Sequence, residues 1–259
     1  VETPQRGHGR RSAPGHAMAV RRSWPSLLAS KGHSRMWIHR HVTDKYVQRA
    51  QEHDYRSRSA FKLRQLDGQF SIFKPHLNVV DLGCYAGGWS QVALERTATP
   101  AGRRNSLVVG IDKIQMDPLD GHHFVRGDVR DALVLAKVKN ILQSQKAHVV
   151  LSDMAPKMTG RKIDDHIASV DLCREAAKFA EHVLKEGGWF VTKIFTGALA
   201  DRHRGELEQR FRKVHIVKPK ASRDASCELY FVCAKFLGGT LDLSGDAAES
   251  PLHRPGPRG

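Results

Sequence analysis

The run Asn78-Val79-Val80-Asp81-Leu82 stops at a glycine-rich loop, and a helical pattern opens at Trp89. An apolar run this short makes a strand rather than a helix, and a strand that is apolar throughout needs cover on both faces. The unit then repeats. Residues 107–111 are a second strand candidate, 123–126 a weaker third and 148–152 a fourth, with a helix over 132–142 before the fourth. A long helix is expected over 163–184, closed by Gly187-Gly188 as its C-terminal cap, and a fifth strand over 189–194 follows. A polar helix over 199–211 precedes two last strands, 214–217 and 229–234. Too little chain separates these two for a helical crossover, so they can pair as a hairpin that turns one strand against the rest. Upstream, residues 44–66 read as two short helices, one with Tyr46, Val47 and Ala50 on its apolar face, the next with Ala60, Phe61, Leu63 and Leu66. The expected fold is α/β: a seven-stranded, mostly parallel sheet with one antiparallel strand and helices on both faces. One domain over 44–237 is expected between a basic arm (1–43) and a Gly/Pro/Ser-rich tail (238–259).

In such sheets ligands bind beyond the carboxyl ends of the strands, where the strand order reverses. Asp81-Leu82-Gly83-Cys84-Tyr85-Ala86-Gly87-Gly88-Trp89 lies at such an end. Its glycines let the backbone approach a ligand closely, but the G-x-G-x-x-G spacing of a dinucleotide cradle is missing. Asp81, Gly83, Tyr85, Gly87, Gly88 and Trp89 are the candidate cofactor loop, with Asp81 placed to meet the ammonium or sulfonium end of S-adenosylmethionine. Asp112 ends the second strand, where a carboxylate can accept both hydroxyls of a ribose. Asp128 follows the third strand, placed for an adenine amino group. Each acid alone is as readily a helix N-cap. Three of them at successive strand ends point to a nucleoside-bearing cofactor.

Asp153 and Lys193 end the fourth and fifth strands, and parallel neighbours would bring them together. A plain buried ion pair is the ordinary product of such a meeting. The surrounding motifs say more. They are Asp44-Lys45-Tyr46-Val47 with Tyr55-Arg56-Ser57-Arg58-Ser59-Ala60-Phe61-Lys62-Leu63; Gly87-Gly88-Trp89-Ser90-Gln91; Gly110-Ile111-Asp112 with Met116-Asp117-Pro118; and Gly127-Asp128. Further along stand Ser152-Asp153-Met154-Ala155-Pro156 with Met158-Thr159-Gly160; Lys193-Ile194-Phe195-Thr196-Gly197; and Lys218-Pro219, Ser222-Arg223 and Ser226-Cys227-Glu228-Leu229-Tyr230. In this order they make the chain resemble the FtsJ/RrmJ-type ribose 2′-O-methyltransferases from about Asp44 to Cys233.

The resemblance implies a Rossmann-like class I methyltransferase fold, S-adenosylmethionine as cofactor, no metal, and a catalytic Lys-Asp-Lys-Glu tetrad on Lys62, Asp153, Lys193 and Glu228. Asp153 also counts among the cofactor-binding acids. A ribose hydroxyl is a poor nucleophile and must lose its proton as it attacks the sulfonium methyl. Lys193 is the candidate to take or steer that proton, helped by desolvation and a second nearby cation. Lys62 would be that cation and would stabilise the developing alkoxide. Asp153 and Glu228 would orient the lysines and the hydroxyl. The chain departs from the family in one place: Tyr85-Ala86 stands where Ala-Pro is usual, which puts a bulky ring beside the expected cofactor.

The chain carries 42 Lys+Arg against 27 Asp+Glu, a net charge of +15, which suits a polyanionic partner. Residues 1–43 hold seven arginines and one lysine against Glu2 alone. This composition fits an RNA-binding arm that stays or a mitochondrial transit peptide that is removed, and a chain that begins on Val is expected to be already trimmed. Lys45, Arg49, Arg56, Arg58 and Arg64 surround Lys62 and are the candidate RNA contacts, with Trp37, Tyr46 or Tyr55 available to stack on a base or to fill the core. A second group, Arg202, Arg204, Arg210, Arg212 and Lys213, decorates the late helix. The four cysteines show neither zinc spacing nor a disulfide framework, and no apolar run is long enough to span a membrane. The expected function is 2′-O-methylation of a uridine in a loop of large-subunit ribosomal RNA, in or near a pre-ribosomal particle and its proteins, in the mitochondrial matrix. The nucleolus or cytoplasm is the alternative location. A weak or inactive ribosome-assembly factor and a tRNA or cap 2′-O-methyltransferase are the alternative functions.

Overall fold

The computed structural model describes residues 43–99, 106–143 and 145–239. The arm and nearly all of the tail expected from sequence, with Trp37, lie outside the described residues. Within them the elements alternate as the apolar runs require. The helices are α1 (Lys45–Glu52), α2 (Ala60–Phe70), α3 (Gly88–Thr97), α4 (Ala132–Ile141), α5 (Lys162–Val183) and α6 (Ala200–Glu208). The strands are β1 (Val79–Leu82), β2 (Val108–Asp112), β3 (His122–Arg126), β4 (Ala147–Ser152), β5 (Leu184–Phe195), β6 (Phe211–Val217) and β7 (Glu228–Phe236). The seven strands lie in the order β3-β2-β1-β4-β5-β7-β6. Only β7 runs against its neighbours, pairing antiparallel with both β5 and β6. This is the mostly parallel sheet with one antiparallel strand that the final hairpin demanded.

Side-chain alternation along each strand divides the core into two layers. Val80 and Leu82 of β1, Val150 of β4, Phe190 and Ile194 of β5, and Phe231 and Cys233 of β7 face the layer covered by α4, α5 and α6. Val79, Val149, Leu151, Val191, Tyr230 and Val232 face the layer covered by α2 and α3. The period of two along every strand therefore assigns Tyr230 and Glu228, two residues apart on β7, to one side of the sheet. Tyr46 and Tyr55, weighed as base-stacking residues, are 8% and 3% exposed and belong to the core.

The Gly187-Gly188 pair does not cap α5. That helix ends at Val183, and Leu184 is already extended. The register jumps from Ala147↔Leu184 to Val149↔Trp189, so the glycines sit in a bulge inside β5. Gly187 takes a positive φ of 77°, and a Cβ on Gly188 would lie 2.8 Å from the carbonyl oxygen of Lys185. A helix cap and a bulge demand the same residue for the same reason, and local sequence does not separate them. The strand order reverses between β1 and β4, which places the ligand crevice at their carboxyl ends.

Candidate active site

A cavity of 390 Å³ opens at that crevice, lined by residues that follow each of the first four strands. Gly83 comes from the end of β1, Asp112 and Ile114 from β2, Gly127 to Arg130 from β3, and Asp153 to Ala155 from β4. Gly83 has to be glycine: its φ is +73°, and a Cβ would fall 2.4 Å from Cγ of Met154. Asp112 is held rigidly, its Oδ2 accepting from the Tyr85 amide at 2.9 Å and its Oδ1 from the Ile114 amide at 2.9 Å. Each oxygen keeps a lone pair for another donor. Asp128 accepts from Arg130 and pairs with Lys113 at 2.8 Å. The Arg130 guanidinium, with Lys113, holds this carboxyl far below the usual carboxylate range. Neither acid is a helix cap; Asp131 caps α4 by accepting from the Leu133 amide.

The other loop candidates stand behind this lining. Trp89 is 2% exposed, donates its indole N–H to the Ser59 carbonyl at 2.9 Å and packs on Tyr230. Gly87 and Gly88 begin α3. Asp81 is fully buried, accepts from Ser90 Oγ at 2.7 Å, and leaves Oδ1 without a protein partner. Burial, and after it the nearby Asp153 and Asp112 carboxylates, push its carboxyl up to about 7. The Tyr85 ring does not fill the cavity. It forms part of the wall and is 47% exposed.

At the mouth of the cavity the four tetrad side chains meet. Ser152 pairs with Thr192 across β4 and β5, so Asp153, just past the end of β4, lies beside Lys193, still within β5. Lys193 Nζ donates to the Asp153 carbonyl at 2.7 Å and lies 3.1 Å from its Oδ1. Lys62, on the first turn of α2, pairs with Glu228 at 2.6 Å. Tyr230 joins the two halves. Its hydroxyl donates to Asp153 Oδ1 at 2.7 Å and accepts from Lys62 Nζ at 3.3 Å. Burial raises Asp153, but the Lys193 and Lys62 ammoniums outweigh it, and the carboxyl lies below its usual range. Burial, reinforced by Asp153 and Glu228, keeps the Tyr230 phenol well above its ordinary value and so protonated. A hydrogen bond to a charged group contributes about 1.5–3 kcal/mol. Tyr230→Phe is thus expected to slow turnover by about 10–100-fold without loss of fold; wild-type kcat in that variant would mean the phenol is only packing.

Tyr230 is a site residue that sequence alone does not single out. It sits in an apolar strand run, and only its place two residues beyond Glu228 marks it. Asp165 and His166 on the first turn of α5 are a second omission. Asp165 accepts from the Thr159 amide at 2.7 Å and the Gly160 amide at 3.1 Å, which ties down the loop after Asp153. The His166 ring bridges the Phe195 carbonyl at 2.9 Å and the Leu199 amide at 3.0 Å, which ties down the loop after Lys193.

The expected RNA contacts divide. Lys45 and Arg49 are exposed on α1. Arg56 is spent internally, donating to the carbonyls of Asp117 at 2.7 Å and Pro118 at 2.6 Å. Arg58 donates to the Ala221 carbonyl, and Arg64 to the Tyr55 hydroxyl at 3.0 Å. These three keep their positive charge, but the donors they give to neutral carbonyls and a hydroxyl are not available to RNA phosphates. On α6 Arg204 pairs with Glu208 at 2.8 Å and Arg202 lies 3.8 Å from Glu206. Just beyond it Arg210 pairs with Glu181 in the interior.

A family model described as FtsJ-like methyltransferase matches residues 55–236. The chain belongs to the FtsJ-like methyltransferase family. This methyltransferase is 43% identical over 222 residues to the Ribosomal RNA large subunit methyltransferase E of Mesorhizobium japonicum, covering 86% of this chain and 83% of that one. It is 41% identical over 209 residues to the protein of the same name from Brucella ovis, covering 81% and 86%. Among solved structures, a ribosomal RNA methyltransferase from Plasmodium falciparum superposes with a TM-score of 0.64 at 37% identity, covering 71% of this chain and all of that one. Family membership implies S-adenosylmethionine as methyl donor, and the cavity suits it. Asp112 keeps a lone pair on each oxygen, where ribose hydroxyls would meet it. Asp128, whose oxygens are taken by Arg130 and Lys113, would have to exchange one of these donors for an adenine amine. Ile111, Ile114, Val129 and Met154 line the cavity as apolar walls. Tyr85→Ala is expected to weaken donor binding about fivefold by stripping apolar wall, read by calorimetry. A tighter complex would show instead that the ring obstructs the donor.

Among the described residues no helix is long and apolar enough to cross a membrane, and no group of three His, Cys, Asp or Glu side chains is gathered for a metal ion.

Proposed function

We propose that this methyltransferase transfers the methyl group of S-adenosylmethionine to a ribose 2′-hydroxyl of large-subunit ribosomal RNA, on a uridine in an RNA loop. The unbroken chain Glu228–Lys62–Tyr230–Asp153–Lys193 at the mouth of the cavity carries this reading. S-adenosylmethionine would supply a methyl already activated by its sulfonium, with Asp112 and Asp128 holding the nucleoside. The two lysines then address the hydroxyl, and the two carboxylates hold them. Asp153 lines the cavity and also holds Lys193, so donor and proton-handling group share one support. Lys193 takes or steers the hydroxyl proton, Lys62 stabilises the charge growing on oxygen, and Glu228 keeps Lys62 in place. In-line placement of oxygen, methyl and sulfur supplies the remaining acceleration.

The names of the curated relatives support ribosomal RNA as substrate, and exposed Lys45 and Arg49 beside α2 support an approach from that side. The Arg-rich residues 1–43 support the mitochondrial matrix and a pre-ribosomal large-subunit particle as the setting. The test is transfer of labelled methyl groups to unmethylated large-subunit particles, followed by mapping of 2′-O-methylation. One ribose-methylated uridine is expected. Label on a base, or on tRNA or cap substrates alone, would refute the assignment. Tight RNA binding with no donor binding would mark the chain as an assembly factor.

A further inference from the structure

Cys84, Met116 and His122 converge behind the cofactor loop, outside the tetrad. Cys84 Sγ donates to Met116 Sδ at 3.7 Å. His122 Nε2 is buried and has no protein partner. His122 and Cys84 can pack this closely over β2 because residue 110 is glycine. A Cβ there would lie 2.3 Å from His122 Nε2 and 2.7 Å from Cys84 Sγ, so both atoms point at the same spot above the strand. Cys84 and Met116 are 3% and 5% exposed.

We propose that Cys84, Met116 and His122 form a binding site for a soft monovalent cation of the Cu(I) class. A thiolate, a thioether and an imidazole are the ligand types that select Cu(I) over harder cations. Two sulfurs 3.7 Å apart can share one ion at ordinary metal–sulfur bond lengths of about 2.3 Å with an open angle. The third ligand is the buried nitrogen that otherwise lacks a partner. Burial lowers the His122 ring to about 4, so it is neutral and can offer Nε2 as a lone pair when its proton is on Nδ1. Burial, then Asp81 and Asp112, push the Cys84 thiol up. The same negative surroundings that oppose a bare thiolate favour a cation bonded to it. On binding, the Cu–S bond forms as the Cys84 S–H proton leaves to solvent. No electron is transferred.

The site needs no methyl transfer, so its failure would leave the proposed function untouched. The experiment is anaerobic titration of the full chain with Cu(I) delivered from its bicinchoninate complex, in a Cys227→Ser background because Cys227 is exposed. One equivalent with a thiolate-to-Cu(I) ultraviolet band is expected. Cys84→Ser should remove the band. Loss of an outer partner alone weakens metal sites about 10–100-fold, so His122→Gln and Met116→Leu should each weaken binding by at least that factor. Circular dichroism and melting of each apo variant establish that it folds. Folded variants that bind Cu(I) like the background protein, or a background protein that binds none, would overturn the proposal.

Discussion

Lys193→Ala is expected to lower the single-turnover rate of methyl transfer by about 10²–10⁴-fold, the span of a positioned proton-transfer group. RNA affinity in the same variant is expected to stay within about twofold. Phosphate attraction is spread over many cations, and one buried lysine at the catalytic mouth adds little to it. The side chain of Lys193 is 9% exposed, and its ammonium is already engaged by Asp153 through a carbonyl at 2.7 Å and a carboxylate at 3.1 Å. Removing it leaves Asp153 with Lys62 and Tyr230 alone, so donor affinity should change less than the rate. Filter binding, calorimetry with the donor and rapid-quench methylation separate the three quantities. An undiminished rate would remove Lys193 from the reaction. Equal loss of rate and RNA affinity would make it a docking residue.

This division of labour was partly legible in the sequence. Buried strands carry dense apolar signals, so β1, β4 and β5 could be placed before the fold was known, with Asp153 just past β4 and Lys193 near the end of β5. Lys62 and Glu228 could not be placed from local pattern. They come from a helix and an antiparallel strand far apart in the chain, and only resemblance to the family joins them. Three arginines beside Lys62 read as free phosphate donors because a sequence does not show carbonyl acceptors. In the fold Arg56, Arg58 and Arg64 are occupied by Asp117, Pro118, Ala221 and Tyr55. Tyr230 was hidden for the opposite reason: an aromatic ring in an apolar strand is expected in the core, and its hydroxyl acquires a role only when Asp153 and Lys62 arrive at its tip.

Asp81→Asn tests what the cofactor loop costs the fold. Asp81 has an ordinary value of 3.8 and is pushed up to about 7. A carboxyl with a raised folded value contributes full stability below its unfolded value and loses it as pH rises towards the folded one. Over those roughly three pH units, at about 1.4 kcal/mol each, the loss is about 4 kcal/mol. Asparagine can still accept from Ser90 Oγ and stays neutral throughout, so it escapes the loss. The comparison uses urea unfolding of both proteins at several pH values. The difference in stability is expected to move by about 4 kcal/mol in favour of Asp81→Asn between pH 4 and pH 8. All other titrating groups are common to both chains and cancel. A pH-independent difference would mean that the Asp81 carboxyl finds solvent or a partner when ionised. If the cost is real, a bound cationic donor should offset it. The wild-type protein should then gain more melting temperature from S-adenosylmethionine at pH 8 than the Asn variant does.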